Sequence, residues 1–182
     1  MTDKQRYKWA DRGRDGGAEA LCLTVLAGRS EAEVLTALNV DPTSRRDATF
    51  AEGEDAWTDD VQPVQIWTDA AHVVLVEPNG YQAWLPEVLL RLVGPGDAVV
   101  IYWNVNANAR VLVVRGGTIV RELDPVTGDA EHEPLPEEHG LDFDGDEWRS
   151  AMCVLLERLT GFVASREAIL EPRRPTYPVP TR

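Results

Sequence analysis

The feature that most constrains this chain is a series of short apolar runs, separated by tight-turn chemistry, between Val64 and Leu123. Val64 to Thr68 and His72 to Glu77 read as two strands joined by a short turn at Asp69 and Ala70, and Pro78-Asn79-Gly80 ends the second. The run HVVLV is apolar on both faces, which marks a strand inside a sheet. Ala98 to Val105, Val111 to Arg115 and Thr118 to Leu123 are three more strands, and Gly116-Gly117 between the last two is a two-residue hairpin signal. Strands joined mostly by hairpins predict an antiparallel sheet.

Helical periodicity is confined to shorter stretches. Ser30 followed by Glu33 is a capping box, so a helix begins there; Val34, Leu35 and Leu38 form its apolar stripe, and Asn39 can take the left-handed residue at its end. Leu21 to Leu26 is short and ends near Gly28, which favours a strand. Pro86 to Val93 fits a helix stopped by Gly94-Pro95-Gly96. Glu147 to Leu159 fits a longer one, with Trp148, Met152, Leu155, Leu156 and Leu159 on one face and Gly161 as the stop. The expected architecture is α+β: an antiparallel sheet of five or six strands covered by two or three helices. A single domain over 1–165, with a basic head at 1–15, is followed by an extended or loosely docked Pro/Arg-rich tail at 166–182.

Composition removes whole classes of function. At 182 residues and 43% apolar content, one core suffices without a staple. The chain has no run of about 20 apolar residues and no apolar segment behind its charged start, so we expect a cytoplasmic protein. Cys22 and Cys153 stand far apart in apolar settings, suiting buried thiols better than a metal site or nucleophile. Phosphate-binding, dinucleotide and nucleophile-elbow motifs do not occur. Arginine outnumbers lysine so heavily that GC-rich coding and a bacterial source are indicated.

The net charge of −13 is unevenly placed. From Asp47 to Asp60 there are six acids and no base, and from Asp124 to Glu147 there are ten acids and no base. Such runs are commonly solvated loops. They also repel nucleic acid and attract a basic protein, which brings Glu131, Glu133, Glu137 and Glu138 forward as binding residues. The segment from Asp142 to Trp148 places Asp142, Asp144 and Asp146 at calcium-loop spacing, but its glycine and final ligand are misplaced; Asp144 or Asp146 better serves as a helix cap. His132 and His139 lack a zinc pattern. No cofactor is expected.

A second constellation is polar. In an extended strand Tyr102, Asn104, Asn106 and Asn108 share one face, while Ile101, Trp103, Val105 and Ala107 pack on the other. The asparagines mark either a turn or a groove completed by Glu77, Asn79 and Gln82.

The segments CLTVLAG at Cys22–Gly28, EPNG at Glu77–Gly80, WNVNA at Trp103–Ala107 and LDP at Leu123–Pro125 resemble an actinobacterial family catalogued as a domain of unknown function. The resemblance implies a shared fold and brings no catalytic residue. The residues favour a non-enzymatic acidic binding domain, in its sharpest form an immunity-like or antitoxin-like neutraliser of a basic protein. The alternative is a small-ligand sensor or enzyme using a groove around Glu77, Tyr102 and Asn104. A buried Glu77 with a raised pKa favours the alternative, and an exposed Glu77 beside a flat face favours the first.

Overall fold

Strand β1 (Leu21–Ala27) is buried from Leu21 to Leu26 without alternation, so both of its faces are covered. It runs between β4 (His72–Pro78) and β5 (Asp97–Trp103), antiparallel to each. The computed structural model describes residues 3–13, 16–143 and 145–181. Among these, β2 (Arg46–Ala48), β3 (Val61–Asp69), β6 (Ala109–Arg115), β7 (Thr118–Leu123), β8 (Ala130–Glu131) and β9 (Arg174–Pro180) complete one sheet of nine strands in the order β2-β9-β3-β4-β1-β5-β6-β7-β8.

The pleat sorts the core into two layers. Leu21, Leu23 and Val25 join Val74, Val76, Ile101 and Trp103 on one face, where α5 (Trp148–Thr160) packs Met152, Leu155 and Leu156. Tyr7 and Trp9, just beyond α1 (Asp3–Arg6), complete that layer. Cys22, Leu26, Leu75, Val100 and Leu112 face the other way, against α2 (Glu31–Ala37) and α4 (Pro86–Val93). Each large aliphatic side chain so buried contributes roughly 1.5–3 kcal/mol, which is why interior strands can be apolar throughout.

Local signals worked where they were complete. The amide of Glu33 donates to Ser30 Oγ at 3.4 Å and the amide of Ser30 to Glu33 Oε2 at 2.8 Å, closing the capping box of α2. Asn39 follows it at φ 57°. Gly116 and Gly117 both adopt positive φ, as the tight β6–β7 turn requires.

The expectation of five or six strands under two or three helices is overturned by a nine-stranded sheet with six helices among the described residues. Strands β2 and β8 have three and two residues, and α3 (Phe50–Asp55) and α6 (Arg166–Ile169) have six and four, too few to display a period. Strand β9 carries Pro175, Pro178 and Pro180, which argue against an interior position. Its place between β2 and β3 is possible because the neighbours overlap it only in part. Strand β2 pairs with 174–176 and β3 with 176–180, so each proline lies beyond the ladder on one side. The 5–6 connection also tightens: β5 ends at Trp103, two residues before the expected Val105.

Strand directions define two ends of the sheet. Pro78, Leu21, Trp103 and Ala109 form one row at the upper end. His72, Ala27 and Asp97 form a row at the lower end. No helix among the described residues is long and apolar enough to cross a membrane.

Candidate functional site

Glu77 leaves β4 at the upper end, next to the Pro78-Asn79 corner, and is 1% exposed. Its Oε2 accepts the amide of Gln82 at 2.6 Å and its Oε1 that of Ala83 at 2.9 Å, so it closes the short helical turn 82–84. Burial raises its pKa, and the two amides and the Cys22 thiol pull it back. Gly80 is required by this approach, since a Cβ there would lie 2.7 Å from Glu77 Cβ. Burial with a raised pKa is the outcome that favours a ligand groove. The surroundings do not form one: both oxygens are occupied by main chain, and Glu77 acts as an internal acceptor.

Of the remaining groove residues, Tyr102 shares a row with Cys22 and Glu77 across β5, β1 and β4, but the group is filled from within and leaves no open groove. Asn79 is exposed at φ 54°, and Gln82 is buried with its amide 3.5 Å from Pro180 O. Tyr102 is covered by Trp84, stacked at 4.8 Å and 11°, and the Arg110 guanidinium sits 5.2 Å over the Trp84 ring while bridging to Glu122 at 2.6 Å. Asn104 donates to Tyr102 Oη at 2.8 Å.

The turn reading of the asparagines describes what Asn104 does. Its Oδ1 accepts the amides of Asn106 at 2.9 Å and Asn108 at 3.1 Å, and Ala107, not an asparagine, takes the left-handed backbone at φ 58°. Val105, expected on the packed side, is instead 65% exposed at the tip, because alternation ends with the strand. A second turn, after β7, repeats the device. Asp124 Oδ1 accepts the amides of Val126 at 2.8 Å and Thr127 at 3.1 Å, leaving Val126 45% exposed. Both turns lie at the upper end, so the EPNG, WNVNA and LDP segments are brought together by topology. Val126 was missed in the sequence, although Asp-Pro followed by Gly within five residues is a turn signal.

The acidic residues that follow have unequal roles. Arg121, 4% exposed on β7, makes a two-pronged pair with Glu138 at 2.7 and 2.8 Å and donates to the carbonyls of Glu131 at 3.3 Å and His132 at 2.8 Å. Glu138 also accepts the amide of Leu135 at 3.0 Å. It is thus an anchor and not a free binding charge. Glu137 lies 3.7 Å from Arg115, and Arg158 holds the carbonyls of Glu137 and His139 at 2.8 and 2.9 Å. Glu131 and Glu133 are exposed with no side-chain partner among the described residues. The bases that balance this run come from β6, β7 and α5 and, through Lys8 at 3.7 Å from Glu147, from the N-terminal head, which a linear count of charge cannot see.

The other acidic run begins on the edge strand β2 and continues through α3, which packs against β3 and β4 with Gly53 over Pro78.

Further sequence candidates resolve as follows. The cap of α5 is neither Asp146 nor its own Glu147. Asp11 of the head accepts the Ser150 amide at 3.3 Å and the Ser150 hydroxyl through its other oxygen. Asp144 lies outside the described residues. Cys22 and Cys153 are free and buried, and burial raises both thiol pKa values. Among the described residues no group of three or more His, Cys, Asp or Glu is placed to hold a metal ion.

No curated protein and no solved structure matches the chain. A family of unknown function, DUF6461, matches residues 1–172, so that its span stops just short of β9. The chain belongs to this family, whose function its description leaves open.

Proposed function

We propose that this protein is a non-enzymatic binding domain that engages a basic protein through the upper end of its sheet. The supporting observation is the pair of valine tips, Val105 and Val126, each held out to solvent by a turn that an Asn or Asp side chain fixes internally. Turns already ordered lose little conformational entropy on docking. Glu131 and Glu133 follow the second turn with uncommitted charges, in a chain whose net charge is −13. The combination suits an apolar contact ringed by positive charge. Neutralising a basic effector, in the manner of an immunity protein or antitoxin, is the sharpest form of this reading, because long-range attraction accelerates such encounters.

The test is capture of partners from native lysate by the wild type and by Val105→Ser combined with Val126→Ser, followed by stopped-flow association with the recovered protein. A basic protein that the valine variant fails to retain, and whose association slows as salt shortens the Debye length to about 10 Å at 0.1 M, supports the reading. Equal retention by both forms removes it.

A further inference from the structure

We propose that a cleft at the lower end of the sheet, remote from the valine tips and independent of their reading, binds a free aliphatic α-amino acid. The cleft has a volume of about 230 Å³. That is smaller than the ~300–1,000 Å³ that takes a drug-sized ligand. Its base is apolar, formed by Val25, Ala27, Val99 and Val113, and the last turn of α5 covers it with Leu159 and Thr160.

The residues around that base stand in a defined order. His72, Ala27 and Asp97 occupy one row across β4, β1 and β5, and Arg115 lies one step beyond the Ala98–Val114 pair. Ala27 is the smallest member of the row, and its short side chain makes the depression between His72 and Asp97. Asp97 and Arg115 are neighbours of opposite charge on adjacent strands, a placement that ordinarily yields an ion pair. They do not pair. Asp97 Oδ1 accepts the Gly116 amide at 2.8 Å, with its second oxygen uncommitted among the described residues, while Arg115 turns to Glu137 at the longer distance of 3.7 Å.

An anion and a cation that diverge around a small apolar base match a molecule carrying both charges on one carbon. The ammonium goes to Asp97, beside the negative end of the thirteen-residue helix α5. The carboxylate goes to Arg115, which supplies several donors in one plane. The side chain lies over Ala27 and against Leu159, with Val25, Val99 and Val113 forming a nearly covered floor beneath it.

Calorimetric titration of the full chain with L-leucine tests this, with amide chemical shifts locating the site. Isoamylamine and isocaproate, each lacking one of the two charges, serve as controls. Leucine is expected to bind, to shift the amides of Ala27, His72 and Asp97, and to exceed both controls in affinity. Asp97→Asn keeps an oxygen for the Gly116 amide and Arg115→Gln changes a half-exposed side chain, so both variants should fold. Each is expected to weaken leucine at least tenfold. The proposal is overturned if leucine at about 20 mM, well above a millimolar Kd, shifts no amide in this row. It is equally overturned if the two variants bind as the wild type does, or if all three ligands bind alike.

Discussion

The two acidic runs look alike in the sequence, acids without a base, yet the structure holds them differently. Around 47–60 compensation is peripheral: Glu52 completes the capping box of α3 with Thr49 and meets Arg173 of the tail at 2.8 Å, while Asp47 pairs with Arg45 at 3.1 Å. Around 124–147 there are peripheral pairs as well, Glu137 with Arg115 and Glu147 with Lys8, but the run also has an internal one, a buried guanidinium whose donors reach Glu138 and two carbonyls. The second run is therefore an ordered layer on β7 with a few charges to spare. What separates the two is whether a cation arrives from the sheet itself, where water cannot screen it, or from the surface.

The largest effect should come from removing that internal cation's partner. Glu138→Ala is expected to cost about 3 kcal/mol in chemical denaturation, because it leaves Arg121 buried and unpaired. Limited proteolysis should then cut within 130–139 first. A loss no greater than a surface substitution would erase the distinction between the two runs.

Glu77 sharpens the comparison, since amides and not a cation satisfy this buried carboxylate. Glu77→Gln places an NH₂ against one of the two main-chain amides and is expected to cost about 1–3 kcal/mol. Burial raises the native pKa of Glu77 above its unfolded value. Its titration therefore contributes stability that is fully present below the unfolded carboxylate pKa and lost as pH rises through the native one. The wild type should exceed the variant by more at acidic pH than at pH 8, and urea unfolding at both values checks the sign.

On the peripheral side, Thr49→Ala should lower stability by about 1 kcal/mol through the lost cap of α3, read as a modest fall in Tm. Smallest of all, Glu131→Gln with Glu133→Gln should leave Tm unchanged. The same pair should slow association with a basic partner and flatten its salt dependence, so an unaltered on-rate would show that these two charges serve only solvation.

Sequence by itself determined what neighbouring residues can settle among themselves. The Ser30–Glu33 cap, the left-handed Asn39, the helix at Pro86–Val93 and the glycine hairpin at 116–117 depend on backbone amides and φ angles within a few residues, and all were legible. The apolar interior strands were legible for the same reason, since burial on both faces leaves a continuous hydrophobic run. Only the tertiary structure decided the rest. Strand β9 is admitted to the sheet because β2 and β3 overlap it at different places, which its prolines cannot announce. Asp11 caps a helix 139 residues away, Arg121 converts Glu138 from a candidate contact into an anchor, and the main chain fills Glu77. Charge and hydrogen-bonding capacity are written in the sequence, but which partner satisfies them depends on distance in space, and the fold sets that distance.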